Sequence, residues 1–594
     1  MRKVVIVGAG LAGLTATLRL LERNYHVTLY EQDDFVGGMM RAFDDPRTGT
    51  RREHAYHMYP NWYYNFWKVA EDLGIQHNFS PRTGFRFFYR ERETNRQPKL
   101  HNPGGAQDLV RNLTSGVAPP ADLFLFMYSM IDILGEELEG DGLLDKISVN
   151  GFLRGRPYAT ERMAELHQKF WETVWGVASY NASARSYQTF LKYGNRVPDP
   201  QFWLLRGDKQ TALLDPWLAK LRSYGERFEL CLLHRLDTIT PARDGRIAGL
   251  TFQKVDKSPS IFRDWKPLTT AGGKPVPPVK VDVADADVIM AVTPGAMANL
   301  LTGELINLDP SLGQLDYLEA EPMASIALHF KGTLGGITDD VTALMNTPYQ
   351  MTFLDYSKVW PGLTSTLLYV TASDIKALLP LEPERRDRSG RLILDLDAPK
   401  TAIDYLLQAF RMNVPFEPSD IDLKATSLET NTGEELFANA VGSWRHRPET
   451  TCRIPNLFLA GTYVRNFADV STMEGGVATG VMAAEAVRAK SGEGAEIPLI
   501  LPEAYPRDLF RAARVALAPY AASAKAWSAY SDTMARLGIR LPGLSDPFRA
   551  DSAVLQEVDR ILRELLAGRP VSGPRQGLGP LYWQDGESDK HRAA

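Results

Sequence analysis

The alternation of apolar and polar positions predicts a short buried strand over residues 3–7, and then a helix over residues 11–23 with Leu14, Leu18 and Leu21 on one face. A second strand follows over residues 27–31, and the order strand, helix, strand predicts a βαβ unit with parallel strands. The rhythm returns three times. A helix ends near Tyr224 before strands over residues 228–233 and 247–252. A buried strand over 286–292 precedes a helix over 294–301, and a strand over 456–460 precedes an Ala-rich helix over 475–490. No internal repeat is visible.

Two blocks of different character interrupt these units. Residues 85–203 are rich in aromatic residues and Met, and residues 306–445 contain strand-like runs such as 325–330. The pattern predicts an α/β protein in which a discontinuous Rossmann-like nucleotide-binding domain (1–84, 204–305 and 446–492) carries an α+β substrate domain (85–203 and 306–445). Residues 503–594 are expected to form a helical extension, with Val554, Val558, Ile561, Leu562 and Leu565 as its apolar stripe. Its Gly/Pro-rich end past Gly568 is expected to be mobile, and residues 382–391 to be a solvated loop.

Composition removes several alternatives. A length of 594 residues allows a sizeable core, and a net charge of -5 with 23% charged residues recommends no nucleic-acid partner. The two cysteines, Cys231 and Cys452, lie far apart without metal-ligand spacing, which suits a reducing cytoplasm and argues against a disulfide or metal site. No apolar run reaches the roughly 18 residues that span a bilayer, the nearest being residues 123–134, which contain Asp132. A soluble protein, at most peripheral at the membrane, is expected.

Candidate chemistry begins at the N-terminus. Gly8, Gly10 and Gly13, with Ala12 among them, form G-x-G-x-x-G between a strand and a helix, the context that gives the pattern meaning. Gly8 allows the tight turn, Gly10 admits a pyrophosphate, and Gly13 lets helix and strand pack closely, while the helix N-terminus offers N–H groups to the phosphates. Glu31 ends the second strand, where its carboxylate can accept from ribose hydroxyls. The dinucleotide can be NAD or FAD, and the following pair Gly37 and Gly38 favours FAD because a simple NAD fold has no use for a second close backbone approach.

Residues 454–487, IPNLFLAGTYVRNFADVSTMEGGVATGVMAAEAV, resemble the flavin-end motif of the flavin amine oxidase superfamily, most closely its plant-type phytoene desaturase and squalene-pathway branch. Residues 53–75 resemble that branch's E-x-G-x-H, Y-x-N and LGI elements, and further similarity runs over 204–250 and 286–301. The resemblance implies non-covalent FAD. It places Gly461, Thr462, Met473, Glu474, Gly475 and Gly476 at the flavin end and the Leu236 backbone against the adenine. A helix N-terminus there would stabilise negative charge on the reduced ring. Thr462 stands in place of the usual Asp, Ala55 in place of Gly, and Met39 in place of Arg or Lys.

Flavin chemistry asks a protein mainly to position a C–H bond and exclude water. His57, Glu53 and Arg465 are the catalytic candidates, each with a packing or ion-pair reading beside it, and the cluster Tyr59, Trp62, Tyr63, Tyr64, Phe66 and Trp67 is expected in the core. The leading expectation is an oxidoreductase that takes hydride from an apolar, isoprenoid-like substrate and is reoxidised by a quinone or oxygen. The single G-x-G-x-x-G leaves no second unit for a nicotinamide. An amine oxidase, a flavin-dependent isomerase and a non-enzymatic prenyl-binding escort share the fold. Ser325, where amine oxidases commonly carry lysine, argues against the first; the intact glycine pattern argues against the escort.

Overall fold

The computed structural model describes residues 2–566 apart from 46–47, 83, 91–94, 102–111, 114, 138–141, 195–199, 257–264, 271, 346, 432–435, 503–505, 540–546 and 549–551. The expected mobile end past Gly568 lies outside the described residues. The first apolar run forms β1 (Lys3–Val7), the middle strand of a five-stranded parallel sheet. On one side lie β2 (His26–Tyr30) and β3 (Phe228–Cys231), on the other β4 (Asp287–Met290) and β5 (Leu457–Leu459). Val4 pairs with both Val27 and Asp287, so strands remote in sequence share one register. Cover on both faces explains the nearly uninterrupted apolar composition of these strands.

Helix α1 (Leu11–Leu21) is buried along its whole length, and α2 (Tyr64–Asp72) and α3 (Met473–Ser491) pack on the same side of the sheet. α3 crosses α1 closely, since a Cβ on Gly480 would stand 2.4 Å from the Ala12 carbonyl oxygen. It begins two residues before the expected start because Thr472 caps it, its hydroxyl accepting from the Gly475 N–H at 3.0 Å.

The strand expected over 228–233 is interrupted. Leu233 adopts φ 59°, its N–H bonded to the Asp33 carbonyl, and the chain passes into another sheet. There His234–Pro241 pairs antiparallel with Ile247–Lys254, which pairs with Val279–Asp282.

An eight-stranded mixed sheet contains, side by side and antiparallel, Ser427–Thr430, Ala324–His329, Leu367–Ala372 and Met351–Asp355. Two-residue periodicity divides its faces. Ile326, Leu328, Phe353, Leu368 and Val370 pack with Ile403, Leu406, Leu407 and Phe410 of the helix Ala402–Arg411. The opposite face carries Ser325, Thr352 and Thr371. The expected solvated loop at 382–391 is found, with none of its residues buried, and it is also anchored: Arg386 bonds the Glu384 carboxylate and the carbonyls of Gly390 and Thr426.

The apolar run 123–133 lies in the buried helix Pro120–Gly135, beneath the long helix Arg507–Arg536. Tyr128 donates to the Arg514 carbonyl at 3.0 Å, Ser528 to Asp122 at 2.9 Å, and Arg514 pairs with Asp132 at 3.2 Å. This apolar run is therefore interior packing. Among the described residues no helix is long and apolar enough to cross a membrane. In the helix Ala553–Leu566, Val558 is buried beside Leu555, while the side chains of Leu562 and Leu565 lie outside the described residues.

Candidate active site

One cavity of about 950 Å³ runs from the N-terminus of α1, past the N-terminus of α3, to the inner face of the mixed sheet. Its size lies at the upper end of small-molecule sites. The phosphate end is built by β1 and its turn. Gly8 has φ 101°, and a Cβ there would stand 2.3 Å from the Ala291 carbonyl oxygen. Gly10, the N-cap of α1, is different: a Cβ would meet nothing within 4 Å and would project into open space. That emptiness beside a helix N-terminus is a cradle fit for an anionic group.

Glu31 also lines the cavity. It accepts from the Ala9 N–H at 2.6 Å and the Asp33 N–H at 3.0 Å, which fixes the carboxylate at the cavity wall. Leu236 lines the same end. Trp265, which sequence reasoning missed, closes it, its indole N–H on Asp33 at 3.1 Å.

At the other end Gly461, Thr462, Met473 and Gly476 meet the cavity. The Thr462 hydroxyl accepts from Ser471 at 3.2 Å, and the Gly461 N–H bonds Thr479 at 3.0 Å. This loop rests on Arg447, a buried residue absent from the sequence-based candidates. Its guanidinium donates to the carbonyls of Tyr463, Thr462 and Val464 and pairs with Asp469, which also accepts from Arg185 at 2.9 Å.

The structure thus brings Gly8, Gly10, Ala12, Glu31, Gly37, Gly38, Leu236, Gly461, Thr462, Met473, Gly476 and His57 to one cavity. It places Gly13, Glu53, Arg465, Glu474 and Gly475 off the wall, each for a visible reason. Gly13 packs on Gly8, where a Cβ would lie 1.9 Å from the carbonyl oxygen, and the Gly475 N–H serves the Thr472 cap. Glu474 accepts from the N–H groups of Asn65 and Phe66. Arg465 turns outward to Glu449 at 3.0 Å and the carbonyls of Trp444 and Arg445. Glu53 is buried against Lys209 at 2.8 Å and accepts from the Tyr356 hydroxyl at 2.9 Å. Lys209 also holds the Ala55 carbonyl, so the pair secures the backbone leading to His57.

Burial, aided by the Lys209 ammonium, pushes the His57 pKa well below the ordinary imidazole value. A neutral ring has one N–H. Because Nδ1 lies 3.1 Å from the Ala55 carbonyl, which only accepts, the proton sits on Nδ1 and Nε2 keeps its lone pair. A second titratable group on the wall, Glu172, was also missed. Burial lifts its carboxyl to about 7, although it accepts from the N–H and hydroxyl of Ser179. The expected core cluster is buried except Tyr64, which is half-buried, and Tyr63 is also on the cavity wall.

Comparison with known proteins agrees with this layout. Residues 6–73 match the model for an NAD(P)-binding Rossmann-like domain, and residues 268–488 that for flavin containing amine oxidoreductase. The zeta-carotene desaturase of Synechocystis is 23% identical over 525 residues, covering 82% of this chain and 97% of its own. The chloroplastic/chromoplastic zeta-carotene desaturase of Capsicum annuum is 23% identical, covering 80% and 79%. Among solved structures, an oxidoreductase from Methanosarcina mazei superposes with TM-score 0.57 at 13% identity over 81% of this chain and 99% of its own. Cyclohexylamine oxidase from Brevibacterium oxydans gives TM-score 0.53 at 14% identity over 83% and 99%.

Proposed function

We propose that this FAD-dependent oxidoreductase, similar over residues 268–488 to flavin containing amine oxidoreductases, dehydrogenates an apolar, isoprenoid-like substrate. The supporting observation is the single chamber that joins the cradle at Gly10 to the inner face of the mixed sheet. In this reading Gly8, Gly10 and Ala12 hold the pyrophosphate, Glu31 the ribose, and Leu236 the adenine side. Gly461, Thr462, Met473 and Gly476 hold the ring end. The domain division at 84/85, 203/204, 305/306 and 445/446 follows the same reading, with the chamber between the two parts.

Held there, FAD would supply the redox chemistry, an acceptor for a substrate hydride that a quinone or oxygen would reoxidise. The protein supplies the rest. His57 Nε2 takes the proton from the adjacent carbon, the lone pair being available at neutral pH because burial keeps the ring uncharged. A new C=C bond results, and the product has two fewer hydrogens. The buried aromatic cluster around Tyr63 excludes water from the reacting carbons. Similarity to zeta-carotene desaturases over four fifths of the chain supports this substrate class. Against amine oxidation stands Ser325, buried in a strand where amine oxidases commonly carry lysine. Mass spectrometry of the product separates the outcomes: a loss of two hydrogens is expected, whereas unchanged mass would mean isomerisation.

A further inference from the structure

After the strand Ile247–Lys254 the chain leaves the three-stranded sheet and returns along its edge. Val255 bridges Pro267, the Asp256 N–H donates to the Lys266 carbonyl at 2.8 Å, and the Leu268 N–H donates to the Lys254 carbonyl at 2.8 Å. This strap places Trp265 at the Glu31 end of the cavity, where Val255 and Pro267 also form the wall.

Trp265 is held from the opposite side as well. Its indole N–H donates to the Asp33 carboxylate at 3.1 Å. Asp33 is fixed in turn, its N–H on Glu31 at 3.0 Å and its carbonyl accepting from the Leu233 N–H at 3.0 Å. The indole therefore joins the strap to the loop after β2, the same loop that begins with Glu31. That N–H is the only polar group of the side chain, so the rest of the ring is apolar π surface. Trp265 is half-buried and on the cavity wall, so part of that surface is open.

A flat aromatic wall suits a flat partner. A nucleobase stacked on such a ring gains roughly fivefold to a hundredfold in affinity, and the larger π face of a purine gains more than that of a pyrimidine. We propose that Trp265 is the base-reading wall of the dinucleotide site, an aromatic face for the adenine that its N–H bond to Asp33 keeps in place. The glycine pattern and the flavin-end segment serve the pyrophosphate and the ring, which every flavin dinucleotide shares. Trp265 is then the specificity-determining residue for a purine. This role rests on the reading that sets the adenosine at Glu31 and Leu236.

The test compares the full chain loaded with FAD and loaded with flavin cytosine dinucleotide, which differs only in the base, and follows flavin release by its fluorescence. The unmodified protein should release the cytosine compound about fivefold faster. In Trp265→Ala both should leave faster and the ratio should fall to near one, whereas Trp265→Phe, which keeps an aromatic face, should retain most of it. General loosening of the fold would speed both releases alike and leave the ratio unchanged. Equal rates in the unmodified protein, or a ratio that Trp265→Ala does not alter, would overturn the proposal and leave Trp265 as a closure of the strap. Glu31→Gln separates the underlying reading, since both compounds share the ribose: equal acceleration of the two releases is expected. No acceleration of either would overturn the placement of the nucleoside itself.

Discussion

Glu474, in the first turn of α3, holds Asn65 across 409 residues of sequence: its carboxylate accepts from the Asn65 side-chain amide at 2.7 Å and the Asn65 N–H at 3.0 Å. It also accepts from the Phe66 N–H at 2.9 Å and so caps α2. Asn65 in turn bonds both the N–H and carbonyl of Ile500, each at 2.9 Å. Glu474→Ala would leave three buried N–H groups without an acceptor. A loss of about 3 kcal/mol is expected, read as a lowered denaturation midpoint, with flavin affinity weakened through the shifted start of α3. Unchanged stability would contradict a bracing role.

Gly10→Val should abolish flavin loading and leave the fold intact, because its Cβ meets no protein atom within 4 Å. Absorbance near the flavin bands and the far-ultraviolet circular dichroism of the same sample decide it. A yellow variant would show that the cradle is elsewhere. From the unmodified protein, heat or acid should release FAD into the supernatant, since neither Cys231 nor Cys452 lines the cavity.

Arg447→Met removes the cation from a buried pair and three donors from the loop that carries Thr462. Breaking one side of such a pair costs about 3–5 kcal/mol. The expected result is a less stable protein that loses FAD on gel filtration, and Asp469→Asn in the same chain should recover part of the stability. No recovery would mean that the Asp469 charge is not what the lost arginine leaves exposed.

Glu172 supplies a pH signature. Its folded-state pKa of about 7 lies above the ordinary carboxylate value, so between the two the folded protein holds the extra proton and stability declines as pH rises through that window. The contribution is at most about 3 kcal/mol. Melting temperatures from pH 5 to 8 should fall less steeply in Glu172→Gln than in the unmodified protein. Parallel profiles would show that the carboxyl titrates normally.

Much of this was legible in the chain. The βαβ start, the glycine spacing and Glu31 are local features, and local periodicity placed β1 and α1 within a residue or two. The division of the mixed sheet into two faces was also written in the alternation of residues 351–355 and 367–372, where Thr falls on the face opposite Phe353 and Val370; its sense required knowing which face meets the cavity. Glu474, Glu53 and Arg465 sit inside flavin-end or N-terminal motifs, yet each bonds protein rather than facing the cavity, and spacing cannot reveal that. The break at Leu233 was hidden because a leucine with positive φ carries no sequence mark. The burial of residues 123–133 depends on a helix almost 400 residues later.

The source of the hydride tests the account most directly. FAD-loaded protein is mixed anaerobically with geranylgeraniol in micelles, with NADPH, and with cyclohexylamine, and flavin bleaching is followed by stopped-flow absorbance. Bleaching by the polyprenoid alone is predicted, with reoxidation on adding a quinone or oxygen. Rapid bleaching by NADPH or by the amine, with none by the polyprenoid, would contradict the proposed dehydrogenation.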